Sequence, residues 1–173
     1  MADIAKTISV INQMTADRII ENYALGGATA VIFYTEPIAT EDVDVFVHLQ
    51  AGGNPLTEFQ PIFDYLKDNG YKMKGEHFYV EGFPVQFLPA GKNLLDEAIH
   101  QANKFQLTED VIVRVMTPEH LVAVMLDTGR LKDYLRIGVF LQHEIVNLKE
   151  LQSVLAQHNL TGKWQENINK FQV

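Results

Sequence analysis

The chain has 173 residues, 14 Lys and Arg against 22 Asp and Glu for a net charge of −8, no cysteine, and 47% hydrophobic residues. That is about one domain's worth of chain with enough apolar content for a real core, which excludes disorder and collagen-like repetition. Without cysteine, disulfides, thiolate metal centres and thiol nucleophiles are excluded too, so any chemistry falls to carboxylates, His, Lys, Arg or hydroxyls.

Ile4, Ile8 and Ile11 recur at helical spacing and predict an amphipathic helix over 2–14. Tyr23-Ala24-Leu25 reads as a short buried strand running into Gly26-Gly27, followed by an apolar helix over 28–34 that stops near Pro37. The clearest strand covers 42–49, where Val43, Val45, Val47 and Leu49 alternate with Asp42, Asp44, Phe46 and His48. Thr57 is expected to cap a helix over 58–68 that closes at Asn69-Gly70. The aromatic-rich stretch 71–89, broken at Gly75, Gly82 and Pro84, predicts two or three strands, the last over 83–88. Its aromatics, Phe78, Tyr79, Phe83 and Phe87, are expected to pack in the core rather than stack on a base. A helix over 93–103 and a buried strand over 110–116 follow, and Thr117-Pro118 opens a region that is helical to the end, with a break at Gly129 and helices over 148–158 and 163–171. This order predicts an α+β fold with an α/β core over 1–116 and a C-terminal helical region over 117–173 packed on the same domain.

The charge is uneven. Up to Val113 there are sixteen acidic and seven basic residues, and from Arg114 onward six and seven. A net negative surface repels phosphate backbones, so broad DNA binding is not expected. No stretch approaches the ~20 apolar residues of a membrane span, and the start has no basic segment leading an apolar one. The expectation is a cytoplasmic protein without a membrane partner. The six histidines show no metal-ligand spacing and are expected mostly at the surface or at caps, with His48 the one on the acidic strand face.

Two segments carry chemistry. Gly26-Gly27 at a strand-to-helix junction leaves the first-turn N–H groups open to a phosphate, although a tight turn by itself also calls for such a pair. Asp42 and Asp44, two apart in a strand, point to one face, where their mutual repulsion favours a cation between them. Mg²⁺ is the expected cation, because it takes few protein carboxylates and completes its shell with water and phosphate oxygens.

The glycine pair, the following helix and Thr40-Glu41-Asp42-Val43-Asp44 resemble the signature of the nucleotidyltransferase superfamily, the DNA-polymerase-β-like fold in minimal form. Thr117-Pro118-Glu119-His120-Leu121 and Gly129-Arg130-Leu131-Lys132-Asp133-Tyr134 are similar to segments of an uncharacterised branch related to AbiEii-type toxins. The resemblance implies a mixed sheet flanked by helices. It assigns Gly26, Gly27 and Thr40 to nucleotide binding, Asp42 and Asp44 to Mg²⁺ and catalysis, Arg130 and Lys132 to positive charge near the phosphates, and Asp133 to their support. The implied activity is transfer of a nucleoside monophosphate from a nucleoside triphosphate to an unidentified hydroxyl on RNA, protein or a small molecule.

Three positions depart from the family pattern. Gln86 stands where some members carry a third metal carboxylate, Met125 where the toxin branch has Lys, and Arg136 where it has Asp. Glu76, Glu81 and His48 remain as residues to complete the site. The alternative reading is a nucleotide-binding or regulatory module with impaired chemistry, as one member of a toxin–antitoxin or defence pair.

Overall fold

The computed structural model describes residues 3–35, 42–49, 57–91 and 93–171. Seven strands form one mixed sheet: β1 (Asn22–Leu25), β2 (Val43–His48), β3 (Lys72–Lys74), β4 (His77–Val80), β5 (Phe83–Pro89), β6 (Asn103–Thr108) and β7 (Val111–Val115). Their order across the sheet is β3-β4-β5-β2-β1-β7-β6. The central pairs β2·β5 and β1·β7 are parallel, and β1·β2 and the outer pairs are antiparallel. The described helices are α1 (Ile4–Ala16), α2 (Gly27–Val31), α3 (Gln60–Asp68), α4 (Asn93–His100), α5 (Pro118–Thr128), α6 (Leu131–Gln142), α7 (Leu148–Gln157) and α8 (Thr161–Asn167), with a 3₁₀ turn over Ile168–Lys170.

β2 sits at the middle of the sheet, and its alternation is that of a strand with two different faces. Val43, Val45 and Val47 are fully buried, whereas Asp44, Phe46 and His48 are half-buried on the other side. Neighbours in register share a face, so Val43, Val85 and Phe78 form one row, and Phe78 meets the ring of Phe63 from α3 at 5.4 Å. α1 lies against β7, and its Thr7 and Asn12 side chains donate to the carbonyls of Val80 and Ile112. The face that bears Asp44 meets the later helices: α4 packs on β1 and β2, and α5 packs on α2, α4, α6 and α7.

Several element ends differ from the sequence expectation. The helix after Gly26 is shorter than 28–34, closing at Val31 into turns, and the stop near Pro37 lies outside the described residues. α3 begins at Gln60, with Phe59 at the cap and no side-chain cap bond from it; the Thr57 carbonyl accepts from the Gln60 N–H. The helix expected over 93–103 ends at His100, and Asn103 instead starts β6, an edge strand. Thr117 does cap α5, accepting the His120 N–H, and Gly129 ends that helix in the left-handed conformation, at φ +73°.

Asn147 locks the start of α7 in two ways. Its side chain accepts from the Lys149 and Glu150 N–H groups, and its own N–H donates to the buried Glu119 carboxylate at 2.8 Å. Asn147→Ala keeps the N–H bond to Glu119 but removes the side-chain cap and the exposed bond to Glu150, and is expected to cost about 1 kcal/mol. Urea unfolding should show a lower midpoint with an unchanged slope.

Candidate functional site

The strand-to-helix junction and β2 are pressed together. The Gly26 N–H donates to the Asp44 carbonyl at 3.0 Å, so this amide belongs to the sheet and is not available to an anion. A Cβ on Gly26 would lie 2.4 Å from the Phe46 ring, so the first glycine is required by packing. At Gly27 the backbone has φ +56°, and a Cβ would lie only 1.8 Å from Asp44 Oδ2. The second glycine therefore makes room for the carboxylate itself. The first amide bonded back into α2 is that of Ala30, to Gly26 O, which leaves the preceding ones outside the helical ladder. Because α2 has five residues, the dipole expected of a longer helix is small here.

Thr29 ties α2 to the start of β2 by donating its hydroxyl to the Asp42 carbonyl at 2.6 Å. The Asp42 carboxylate faces His77, with Oδ2 3.5 Å from Nε2. Burial pushes the Asp44 carboxyl above its ordinary range, and the nearby Asp42 pushes it further. Arg130, Lys132 and Arg136 act in the opposite direction on it. The two acids are thus close enough to feel one another, and the basic residues of the helical half reach the same spot.

Those basic residues are arranged by Asp133, which is 1% exposed. Arg130 donates to both of its oxygens, from Nε at 2.7 Å and from a terminal nitrogen at 3.2 Å, and Arg136 approaches it at 3.5 Å. This bidentate clamp also holds Arg130 more firmly in its charged form. Arg136, which stands where the toxin branch has Asp, is mostly covered and joins this cluster. Lys132 is exposed and acts on Asp44 through its charge.

Between these parts lies a cleft of about 250 Å³. Gly27, Asp44, Gln86, Thr128, Arg130 and Asp133 form its polar side, while Phe46, Leu88, Leu121, Val124 and Met125 form an apolar wall. The structure therefore brings Gly27, Asp44 and Arg130 to one cavity, with Asp42 beside Asp44. Thr40 lies outside the described residues. Gln86 is the register partner of Asp44 on β5 and donates to Glu76 at 3.3 Å, so among the three residues considered to complete the site it is Glu76 that lies beside it. Glu81 accepts from the Tyr71 hydroxyl, and His48 is bonded to Asp96 at 3.0 Å with its ring 4.8 Å from that of His100.

Among the described residues no three His, Asp or Glu side chains are grouped to hold a metal by themselves. Mg²⁺ does not require that, since one or two carboxylates plus substrate phosphates and water make its usual shell. Asp44, whose negative charge is poorly compensated, and Asp42 beside it fit such an ion. The approach of His77 to Asp42 joins separate segments and was not readable from sequence, while that of Arg136 to Asp133 was missed although both lie on α6. The i, i+3 spacing of Asp133 and Arg136 on one helix was the available signal for the second.

No family model and no curated protein matches the chain. Among solved structures it is similar to an antigenic nucleotidyltransferase-like protein from Paracoccidioides brasiliensis, with a TM-score of 0.52 and 16% identity over 99% of this chain and 94% of that one. ANT(2″)-Ia, solved in complex with adenylyl-2″-tobramycin, aligns at a TM-score of 0.47 and 13% identity over 88% of this chain and 96% of that one. At these identities the first likeness is one of fold: the chain has a nucleotidyltransferase-like α+β architecture. No helix among the described residues is long and apolar enough to cross a membrane.

Proposed function

We propose that the protein is a Mg²⁺-dependent nucleotidyltransferase that moves a nucleoside monophosphate from a nucleoside triphosphate to a hydroxyl acceptor, the acceptor oxygen bonding to the α-phosphorus as the α–β anhydride bond breaks and pyrophosphate leaves. The observation that carries this reading is the meeting of Asp44, Gly27 and the Asp133-held Arg130 in one cleft with an apolar wall. Residues 1–116 supply the acids, and 117–173 supply the cationic side. Asp42 and Asp44 would hold Mg²⁺, which when bound supplies Lewis-acid stabilisation of charge on the transferring phosphoryl group. Gly27 lets the triphosphate approach the backbone without a side chain in the way. Arg130 points its charge at the phosphates, kept in orientation by Asp133, and Lys132 adds to the potential. Phe46, Leu121 and Met125 offer an apolar surface on which the base and sugar lose water. Thr40 remains a phosphate ligand by resemblance alone.

The reading is tested by incubating the full chain with labelled triphosphates, Mg²⁺ and a panel of RNA, protein and small hydroxyl acceptors. Wild type is expected to transfer label and Asp42→Asn/Asp44→Asn is expected not to; identical behaviour of the two would overturn it. A second reading rests on Gln86 beside Asp44, a position where a carboxylate would add a third acid to the metal site. On that reading the chain binds nucleotide without turning it over, as a regulatory module or one half of a toxin–antitoxin or defence pair. Calorimetric binding of triphosphate with no transfer to any acceptor is its expected signature.

A further inference from the structure

The sheet face that bears the acids does not end at the cleft. α4 packs on β1 and β2, and the same face runs on across β5, β4 and β3 to the sheet edge. Register carries two rows outward along it. Gln86 is the partner of Asp44, His77 lies opposite Gln86 one step along from the Phe78–Val85 pair, and Lys74 is the partner of His77. In the second row Asp42 lies level with Pro84, one step before the Val43–Val85 pair; Pro84 pairs with Tyr79, and Tyr79 with Lys72. The 3.5 Å approach of His77 Nε2 to Asp42 shows that the rows share one side. On the other side of β4, Phe78 and Val80 are buried, with Phe78 against the Phe63 ring of α3.

Tyr79 therefore lies outside the core in which its sequence placed it, and is 42% exposed. Among the described residues its ring meets neither another aromatic nor a cation, and Lys72 and Lys74, both exposed, form no ion pair. Glu76, in the turn between β3 and β4, has its carboxylate engaged by Gln86 at 3.3 Å. Lysines on an edge strand are ordinary protection against pairing with another chain, and β3 is such an edge. Tyr79 is not on the edge. It stands one strand in, where an exposed ring protects nothing. Ring and cations also stand out by charge, since the residues up to Val113 hold sixteen acids against seven basic residues.

The geometry of this group is that of a track. Lys72 and Lys74 leave β3 on one side about 7 Å apart, and Tyr79 lies beside Lys72 and about 10 Å from Asp42, across β5. Small-molecule sites are concave and mostly apolar, whereas this face is open and cationic. A ring for an unpaired base and cations for the phosphates beside it are the parts with which proteins hold a single strand of nucleic acid. We propose that the open face of β3–β5 binds the end of a single-stranded nucleic acid, with a base on Tyr79, phosphates on Lys72 and Lys74, and the terminal hydroxyl directed toward Asp42 and Asp44. That this hydroxyl is the acceptor rests on the transfer activity proposed above; the binding does not.

The test is fluorescence anisotropy of labelled oligouridylate and oligodeoxythymidylate of about ten nucleotides, titrated with the full chain. Neither triphosphate nor metal is present, so absence of label transfer leaves the outcome untouched. Saturable binding is expected, the logarithm of the association constant falling against that of salt with a slope of about −1.4, as for two phosphate contacts on a single strand. The tighter of the two oligonucleotides names the source. Tyr79→Ala should weaken binding about tenfold and Tyr79→Phe should not, because stacking uses the ring and not the hydroxyl. Lys72→Gln/Lys74→Gln should weaken it and flatten the salt slope. Lys67→Gln, on α3 behind the sheet, and Asp42→Asn/Asp44→Asn should bind at least as tightly as wild type. Should Tyr79→Ala fail to fold, as judged by circular dichroism, the lysine variant decides. The proposal is overturned by no saturable binding at low salt, by wild-type affinity in Tyr79→Ala or in the lysine variant, by equal binding of a duplex of the same length, or by polyglutamate competing as well as the oligonucleotide itself.

Discussion

Gly27→Ala is expected to lower stability and weaken triphosphate binding together, because one added methyl has two separate consequences. The first is backbone strain: at φ +56° an L-residue costs about 1–2 kcal/mol. The second is collision, since the new Cβ would fall 1.8 Å from Asp44 Oδ2 and the carboxylate must swing away from the place it holds in the cleft. Gly75→Ala separates the two effects. That glycine has φ +64° and nothing within 4 Å of its absent Cβ, so its alanine variant pays strain alone. Denaturant unfolding should therefore show a larger loss for Gly27→Ala than for Gly75→Ala. Triphosphate affinity in the presence of Mn²⁺ should fall at least about tenfold in the first variant and stay unchanged in the second. Equal effects of the two on both measurements would show that Asp44 does not depend on the space Gly27 leaves.

Asp44→Asn is expected to move stability and activity in opposite directions. Burial, then the neighbouring Asp42, raises the Asp44 pKa, and the three basic residues only partly offset this. A carboxyl whose pKa is higher in the folded state than in the unfolded one binds its proton more tightly when folded. Its ionised form is thus a cost to folding that is present above the folded pKa and fades as pH falls through it. Replacing the carboxylate by the neutral amide removes that cost. Without metal, the variant should melt a few degrees above wild type near neutrality, and the two should converge as pH falls toward and below the ordinary Asp range of ~4. Adding Mg²⁺ should stabilise wild type more than the variant, because a ligand that binds only the folded form raises its stability. Label transfer should meanwhile drop by about 100-fold or more, at least the effect of disturbing a metal ligand's supporting contacts. A variant that melts below wild type at neutral pH without metal would contradict the electrostatic account.

The sequence made much of this site legible, and particular residues explain where it stopped. β2 was readable because its period of two is unbroken over eight residues, with valines marking one face and acids the other. β6 was not, since only Phe105 and Leu107 mark its apolar side and no Gly or Pro separates it from α4. Its remaining positions are exposed, as suits an edge strand, and an exposed edge leaves little pattern. The glycine pair lies at the strand-to-helix junction expected of it, but for Gly26 the reason is the Phe46 ring, a contact twenty residues away in the chain. His120 reads as a surface or cap residue in sequence and turns out buried, because α4 and α7 pack on α5 and bring Glu97 to 3.6 Å from its ring. That Arg136 acts on Asp44 depends on how α6 packs on α5, which no local spacing reports.

The two faces of β2 also bear on how the chain finds its pairing. Sliding this strand by one residue against β1 or β5 would turn Asp42 and Asp44 into the apolar layer occupied by Val43 and Val45. Burying two unpaired carboxylates there costs several kcal/mol, far more than a slipped ladder of backbone bonds would recover. The acids that leave the native cleft slightly less stable therefore penalise its nearest misfolded competitor much more heavily. Neutralising both of them would make the strand more tolerant, and less certain of its place in the sheet.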